Sequence, residues 1–342
     1  MLHSFTPILA AVMIFSAVGT FSSPAHAGPK IALLFDIGGK DDRSFNASAH
    51  RGAMDAQKKL GAEIKYVEPA DSNASDSFLT NFSKKDYDLI VAVGIAQADR
   101  LKKILPLYPN KRYLLIDSEI AIGPSDAKGL AKNVSSALFE EHEGSYLVGA
   151  LAAMASKNGV VGFVGGMDIP LIRRFQLGFE AGVAKINPKG KVISNYIGVT
   201  GEAWHNPPKA KELALSQISS KADVIYHASG ASGAGVFDAA EEKKVLAIGV
   251  DSNQNWVKPG LILTSMLKRV DLAVYRAIEQ VSKNEFKGGT VRYGLKDQGI
   301  DWSMDEHNAK LVTPEMKSKV DKLKGEIIAG KIKVPDYYTQ KK

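Results

Sequence analysis

The 342-residue chain has no cysteine, so it can form neither a disulfide nor a thiolate metal site, although an oxidising compartment would permit the first. Long apolar runs are also missing. The segment from Ile8 to Val18 is too short to span a bilayer, and no later run approaches transmembrane length. With Ala25-His-Ala27 as an A-x-A cleavage site, residues 1–27 read as a secretory signal peptide, leaving a mature chain from Gly28. That leader carries His3 but no Lys or Arg, an unusual start for an exported protein.

No basic stripe interleaves with aromatics. The 44 Lys and Arg against 37 Asp and Glu give a net charge of +7, but the lysines scatter over helix faces and are densest from Lys317 to Lys342, which argues against nucleic acid. A phosphate-binding glycine signature is lacking too. His227-Ala-Ser-Gly-Ala-Ser-Gly-Ala-Gly235 is glycine-rich, yet it is neither GxGxxG after the first strand nor a P-loop, and it suits close backbone approach to an uncharged ligand.

What is present alternates as strand and helix. A mature chain of about 315 residues exceeds the size at which one core stops growing, so two lobes are expected. Ile31 to Phe35 is an unbroken apolar run suited to a buried parallel strand. Asp36-Ile-Gly-Gly-Lys-Asp-Asp42 is a turn, and a helix capped by Ser44 or Asp42 follows, with Phe45, Ala49, Ala53, Ala56 and Leu60 at helical spacing before Gly61. Ligands of open α/β sheets bind beyond the carboxyl ends of the strands, which would put Asp36, Asp42, Phe45 and Asn46 at a site. The competing reading is a plain turn followed by a hydrophobic staple. Tyr87 to Val93 and Arg112 to Asp117 add strands ending at Gly94 and Asp117.

Asn133-Val-Ser-Ser reads as the first crossing between lobes, followed by a long helix from Phe139 to Met154. His142 stands beside Glu141 and Glu143, but helix neighbours point in different directions, so no metal site is expected there. A second strand–helix series runs from Gly159. In it Trp204 sits in a polar, proline-bounded loop, where an indole either folds back on the core or waits for a ligand. Val245 to Asp251 repeats the pattern of a buried strand ending in aspartate, and Leu261 to Lys268 ends in lysine. The expected lobes are 28–132 with 266–288 and 133–265 with 289–342. They are joined by three crossings that permit hinge closure.

Six stretches in order, DIGGKDDRSFN, FEEHEGSYLVGALAA, GFVGGMDIPLIRRFQLGFEAG, ADVIYHASGASGAGVFDAA, IGVD and LTSMLK, resemble the basic membrane protein family of ABC-transporter substrate-binding proteins, the purine nucleoside receptor type. The resemblance implies a type I periplasmic-binding fold with two Rossmann-like lobes and a three-segment hinge. It also implies a purine nucleoside or nucleobase ligand and an inner-membrane ABC permease as partner. By position, Phe45 and Trp204 match the aromatic pair around the base, Asp117 the base-edge contact, and Asp36, Gly230, Asp251 and Lys268 the ribose contacts. Asp42 and Asn46 match motif positions suited to orienting the pocket. Trp204 stands where Phe is common, and His205 where an acidic or polar residue is expected. Many members carry a lipidated cysteine that this chain lacks, so the expectation is a free, monomeric periplasmic protein with no cofactor and no catalytic residue. A sugar- or signal-binding protein and a nucleoside hydrolase are the alternatives.

Overall fold

Because Ile31-Ala-Leu-Leu34 is apolar at every position, this strand has no solvent face. Ile31 and Leu33 join one core cluster while Ala32 and Leu34 join another on the opposite side of the sheet, as in a parallel sheet covered on both faces. A computed structural model describes Met1 and residues 28–120 and 132–340. Apart from Met1, the leader expected at 1–27 lies outside the described residues.

The first lobe contains β1 (Lys30–Leu34), α1 (Phe45–Leu60), β2 (Glu63–Val67), α2 (Ser72–Lys84), β3 (Leu89–Ala92), α3 (Gln97–Ile104), β4 (Tyr113–Ile116) and β5 (Val134–Phe139). The second begins with α4 (Glu141–Ala155). It continues through β6 (Val160–Met167), α5 (Pro170–Ile186), β7 (Lys191–Gly198), α6 (Pro207–Ser219), β8 (Val224–Ala228), α7 (Gly233–Lys243), β9 (Leu246–Asp251) and β10 (Ile262–Lys268). The chain then returns as α8 (Val270–Ser282), which lies on α1, and β11 (Gly289–Tyr293) before β12 (Ile300–Trp302) and α9 (Pro314–Ile328) rejoin the second lobe.

Among the described residues both sheets have six strands, ordered β2-β1-β3-β4-β5-β11 and β7-β6-β8-β9-β10-β12. The orders correspond strand for strand, except that β11 runs parallel to β5 while β12 runs antiparallel to β10. Each sheet switches direction of winding between its second and third strands, β1 and β3 or β6 and β8, and the crevice at such a point is where open α/β sheets take ligands.

Three segments lie in the other lobe from the one expected, the first being residues 266–268, which complete β10 in the second sheet beside β9 and β12 rather than opening the return to the first lobe. Residues 134–139, taken for a crossing and a helix start, form β5 in the first sheet, paired from Val134 opposite Tyr113 to Ala137 opposite Ile116. Ser135 and Ser136 are both buried within this strand. Residues 289–293 likewise pair with β5 as an edge strand rather than opening the last stretch of the second lobe. The crossings therefore follow β5, β10 and β11, and the helix expected from Phe139 starts at Glu141.

Candidate functional site

The turn after β1 is built by hydrogen bonds that its own sequence supplies. Asp42 caps α1, its Oδ1 accepting from the Ser44 and Ala47 N–H groups at 2.8 and 2.9 Å and its Oδ2 from the Asn46 N–H at 2.9 Å. Three otherwise unpartnered helix donors are thereby satisfied by one carboxylate. Asn46 in turn clamps the strand end, its Oδ1 accepting from the Asp36 N–H and its Nδ2 donating to the Asp36 carbonyl, both at 3.1 Å. Ser44 does not cap the helix. Its Oγ crosses to the other lobe and donates to Asp251 Oδ2 at 2.5 Å.

Past β3, Gly94 adopts φ +102°, and a Cβ there would stand 2.2 Å from Asp36 Oδ2, so glycine is what lets the Asp36 carboxylate lie over this turn. Asp117 after β4 and Asp251 at the end of β9 occupy equivalent places in the two sheets. Both have left-handed backbone, φ 69° and 65°, which turns the chain at the strand tip.

The end of β10 supplies the cation. Lys268, 2% exposed, donates from Nζ to Asp117 Oδ2 at 2.6 Å and to Glu141 Oε1 at 3.0 Å, with the Phe45, Phe139 and Phe175 rings 5.1–5.6 Å from the nitrogen. Burial alone would lower its pKa, but Asp117, Glu141 and Asp251 outweigh that and hold the ammonium above its ordinary value. The carboxylates respond the other way. Burial raises Asp36, Asp42, Asp117 and Asp251 each to about 6, against hydrogen bonds or the Lys268 charge that pull them down. Asp117 Oδ1 is buried and has no hydrogen-bond partner among the described residues.

These groups converge on one interlobe cleft of about 610 Å³, counting its open mouth. Every residue expected at the site lines it: Asp36, Asp42, Phe45, Asn46 and Asp117 from the first lobe, and Trp204, Gly230, Asp251 and Lys268 from the second. Trp204, in a 3-10 turn, lies close enough to β6 that a Cβ on Gly166 would come 2.1 Å from its ring, while Gly230 turns tightly beneath its backbone at φ +58°. His205 beside it is exposed. The apolar walls Ile37, Ile95, Leu171, Ile172 and Phe175 were missed by sequence reasoning, as was Glu141. Phe175 followed a helical period that equally describes a core residue, and Glu141 had a sufficient local explanation as first-turn acid.

Glu140, His142 and Asp336 bring ligand atoms within 4.8 Å of one another. Their centre is taken by Arg174 Nη2, 2.6 Å from Glu140 Oε2 and 3.1 Å from both His142 Nδ1 and Asp336 Oδ2. A guanidinium already neutralises this group.

Comparison with known proteins points the same way. The family described as "ABC transporter substrate-binding protein PnrA-like" matches residues 29–337. The ABC transporter nucleoside-binding protein BmpA of Lactococcus lactis is 33% identical, covering 96% of this chain and 95% of its own length. Basic membrane protein A of Borreliella burgdorferi is 30% identical over 96% of this chain and 94% of its own. A solved ABC-transporter solute-binding protein from Aeropyrum pernix superposes with a TM-score of 0.80 at 31% identity, covering 90% of this chain and 94% of that one. The two matched sheets, the three crossings and the cleft between them are the type I periplasmic-binding-protein fold. The chain belongs to the PnrA-like family of ABC transporter substrate-binding proteins.

Proposed function

We propose that the protein is the periplasmic receptor of an ABC importer and that its ligand is a purine nucleoside or free purine base. The observation that carries this reading is an aromatic side chain from each lobe, Phe45 and Trp204, bordering a cleft whose polar groups are carboxylates and one ammonium. Base stacking on an aromatic contributes about 1–3 kcal/mol per base. Ionised groups hydrogen-bonding to ribose hydroxyls add about 1.5–3 kcal/mol each. Asp117 offers Oδ1 as an acceptor for a base-edge N–H, since Oδ2 is held by Lys268. Asp36, Gly230, Asp251 and Lys268 face the ribose, while Asp42 and Asn46 hold the turn that presents Phe45. The Lactococcus relative is named for nucleoside binding, in keeping with this assignment.

A hydrolytic role finds little support. Ser229 borders the cleft with its Oγ 3.3 Å from Nδ1 of the buried His227, but His227 Nε2 meets the Gln254 amide at 3.1 Å instead of a carboxylate. Burial pushes His227 down to about 4, so the ring resists the proton a general base must take. Phosphate is disfavoured as well, because the strand-end carboxylates repel it.

Calorimetric titration with inosine, guanosine, hypoxanthine, ribose, galactose and inosine monophosphate tests the assignment, with chromatography of the same mixtures for released base. The expected result is one-to-one binding of nucleoside or base, no binding of the sugars or the nucleotide, and no base release. Preferential binding of a sugar, or turnover of nucleoside, would overturn it.

A further inference from the structure

A continuous chain of buried ion pairs leads out of the cleft. From Asp117 Oδ2 it passes to Lys268 Nζ at 2.6 Å, to Glu141 Oε1 at 3.0 Å, from Glu141 Oε2 to Arg174 Nη1 at 2.5 Å, and from Arg174 Nε to Asp336 Oδ1 at 2.7 Å. Its members come from separate parts of the fold. Asp117 ends β4, Lys268 ends β10 at the second crossing, Glu141 opens α4 at the first, Arg174 lies on α5, and Asp336 belongs to the C-terminal tail. Arg174 is 1% exposed, and its fork is fully engaged, also donating to the Phe139 carbonyl at 2.6 Å and to Glu140 Oε2 at 2.6 Å. The Tyr338 ring covers the guanidinium at 4.6 Å. Helices α4 and α5 are locked in register beneath it, since a Cβ on Gly178 would meet the His142 carbonyl at 2.3 Å.

We propose that Arg174 and Asp336 are positioning residues for the cleft, setting its affinity for the ribosyl part of the ligand through Glu141 and Lys268 without touching the ligand. The claim rests on the nucleoside reading given above. Glu141 is shared between two cations. Its grip on Lys268 therefore depends on how strongly Arg174 holds the other oxygen, and Arg174 divides its charge among Glu141, Glu140 and Asp336. Neutralising Asp336 leaves more of the Arg174 charge to Glu141, which weakens the hold of Glu141 on Lys268. Removing Arg174 has the opposite sense, leaving Lys268 as the sole cation for Glu141 and pulling it from Asp117. In either case the Nζ donors no longer point where ribose hydroxyls need them. A buried pair that loses one member has no water to compensate it, so the displacement is not absorbed by solvent.

The test compares wild type with Asp336→Asn and Arg174→Gln in calorimetry against inosine and hypoxanthine, well below the unfolding midpoint. Because Arg174→Gln removes the hub and endangers the fold, Asp336→Asn, at the network's more exposed end, is the deciding variant. The expected result is a Kd for inosine raised about tenfold, equivalent to about 1.4 kcal/mol, with that for hypoxanthine nearly unchanged. Unchanged inosine affinity, or equal loss for nucleoside and base, would overturn the proposal, since a purely structural role makes no distinction between them. NMR of the Lys268 ammonium without ligand reads the coupling independently of what the cleft binds. A shifted signal in Asp336→Asn supports the proposal, and an unshifted one overturns it even where nucleoside binding stands. Wild-type protein that binds neither ligand would instead overturn the functional reading.

Discussion

At the scale of single residues, the cleft is a concentration of buried charge in which carboxylates outnumber cations. Asp251 shows the consequence most simply. It lies 7% exposed at a strand tip, its Oδ2 accepting from Ser44 of the opposite lobe. Asp251→Ala is expected to abolish measurable nucleoside binding in calorimetry while circular dichroism remains native, because the change removes ligand contacts and an interlobe bond but no core. Unaltered affinity would show the residue misassigned. The pH dependence follows from the same crowding. Asp36, Asp42, Asp117 and Asp251 rise from an ordinary 3.8 to about 6, so the folded protein holds protons that the unfolded chain releases. Their contribution to stability is present below 3.8 and is lost as pH rises to about 6. Ligand donors favour the ionised forms, so nucleoside affinity is expected to move oppositely, weakening as pH falls from 7.5 to 5, with proton release on binding near pH 6. Calorimetry in buffers of different ionisation enthalpy measures both, and proton uptake on binding would contradict the assignment. The placement of Asp117 and Asp251 at the cleft was legible in the sequence because an apolar strand running into aspartate occurs in both lobes. Glu141 and Arg174 were not legible, because a first-turn acid and a helix arginine each have a local explanation until distant residues meet.

At the scale of elements, α1 shows how a motif carries both a cap and a site. Asp42 satisfies helix donors and Asn46 clamps the strand end, so Phe45 is held in the first turn at the cleft. Asp42→Ala is expected to lower stability by about 0.5–2 kcal/mol in urea titration, as loss of a helix cap does. A smaller loss of nucleoside affinity through Phe45 should accompany it, and unchanged stability would refute the capping role. The boundaries of α1 were readable from the period-3.6 apolar positions and Gly61, which closes the helix at φ 68°. β5 was not readable, because its buried serines carry no apolar alternation and its place is fixed by pairing with β4 and β11. Sheet membership is a property of distant partners, whereas helix limits are written locally.

At the scale of the whole molecule, the two lobes are held against each other by Ser44 with Asp251, by Ser252 Oγ donating to the Ser44 carbonyl at 2.8 Å, and by Gln254 Nε2 donating to the Arg43 carbonyl at 3.0 Å. Three crossings also join the lobes, a connectivity that permits hinge closure. Matching strand orders in the two sheets place equivalent strand tips opposite each other, which is why aspartates and aromatics far apart in sequence share one cleft. In the proposed reading, stacking on these two rings is what would separate a base-bearing ligand from a free sugar. Phe45→Ala and Trp204→Ala are each expected to weaken nucleoside binding by about 1–3 kcal/mol in calorimetry. Unchanged nucleoside affinity in either variant would speak against a base between the rings.

The most direct measurement of the central claim is a crystal structure of the protein grown with inosine. The purine is expected between Phe45 and Trp204, its edge bonded to Asp117 Oδ1 and its ribose against Asp251 and Lys268. A nucleoside lying elsewhere, or a purine in the cleft with either ring turned away from it, would contradict the account.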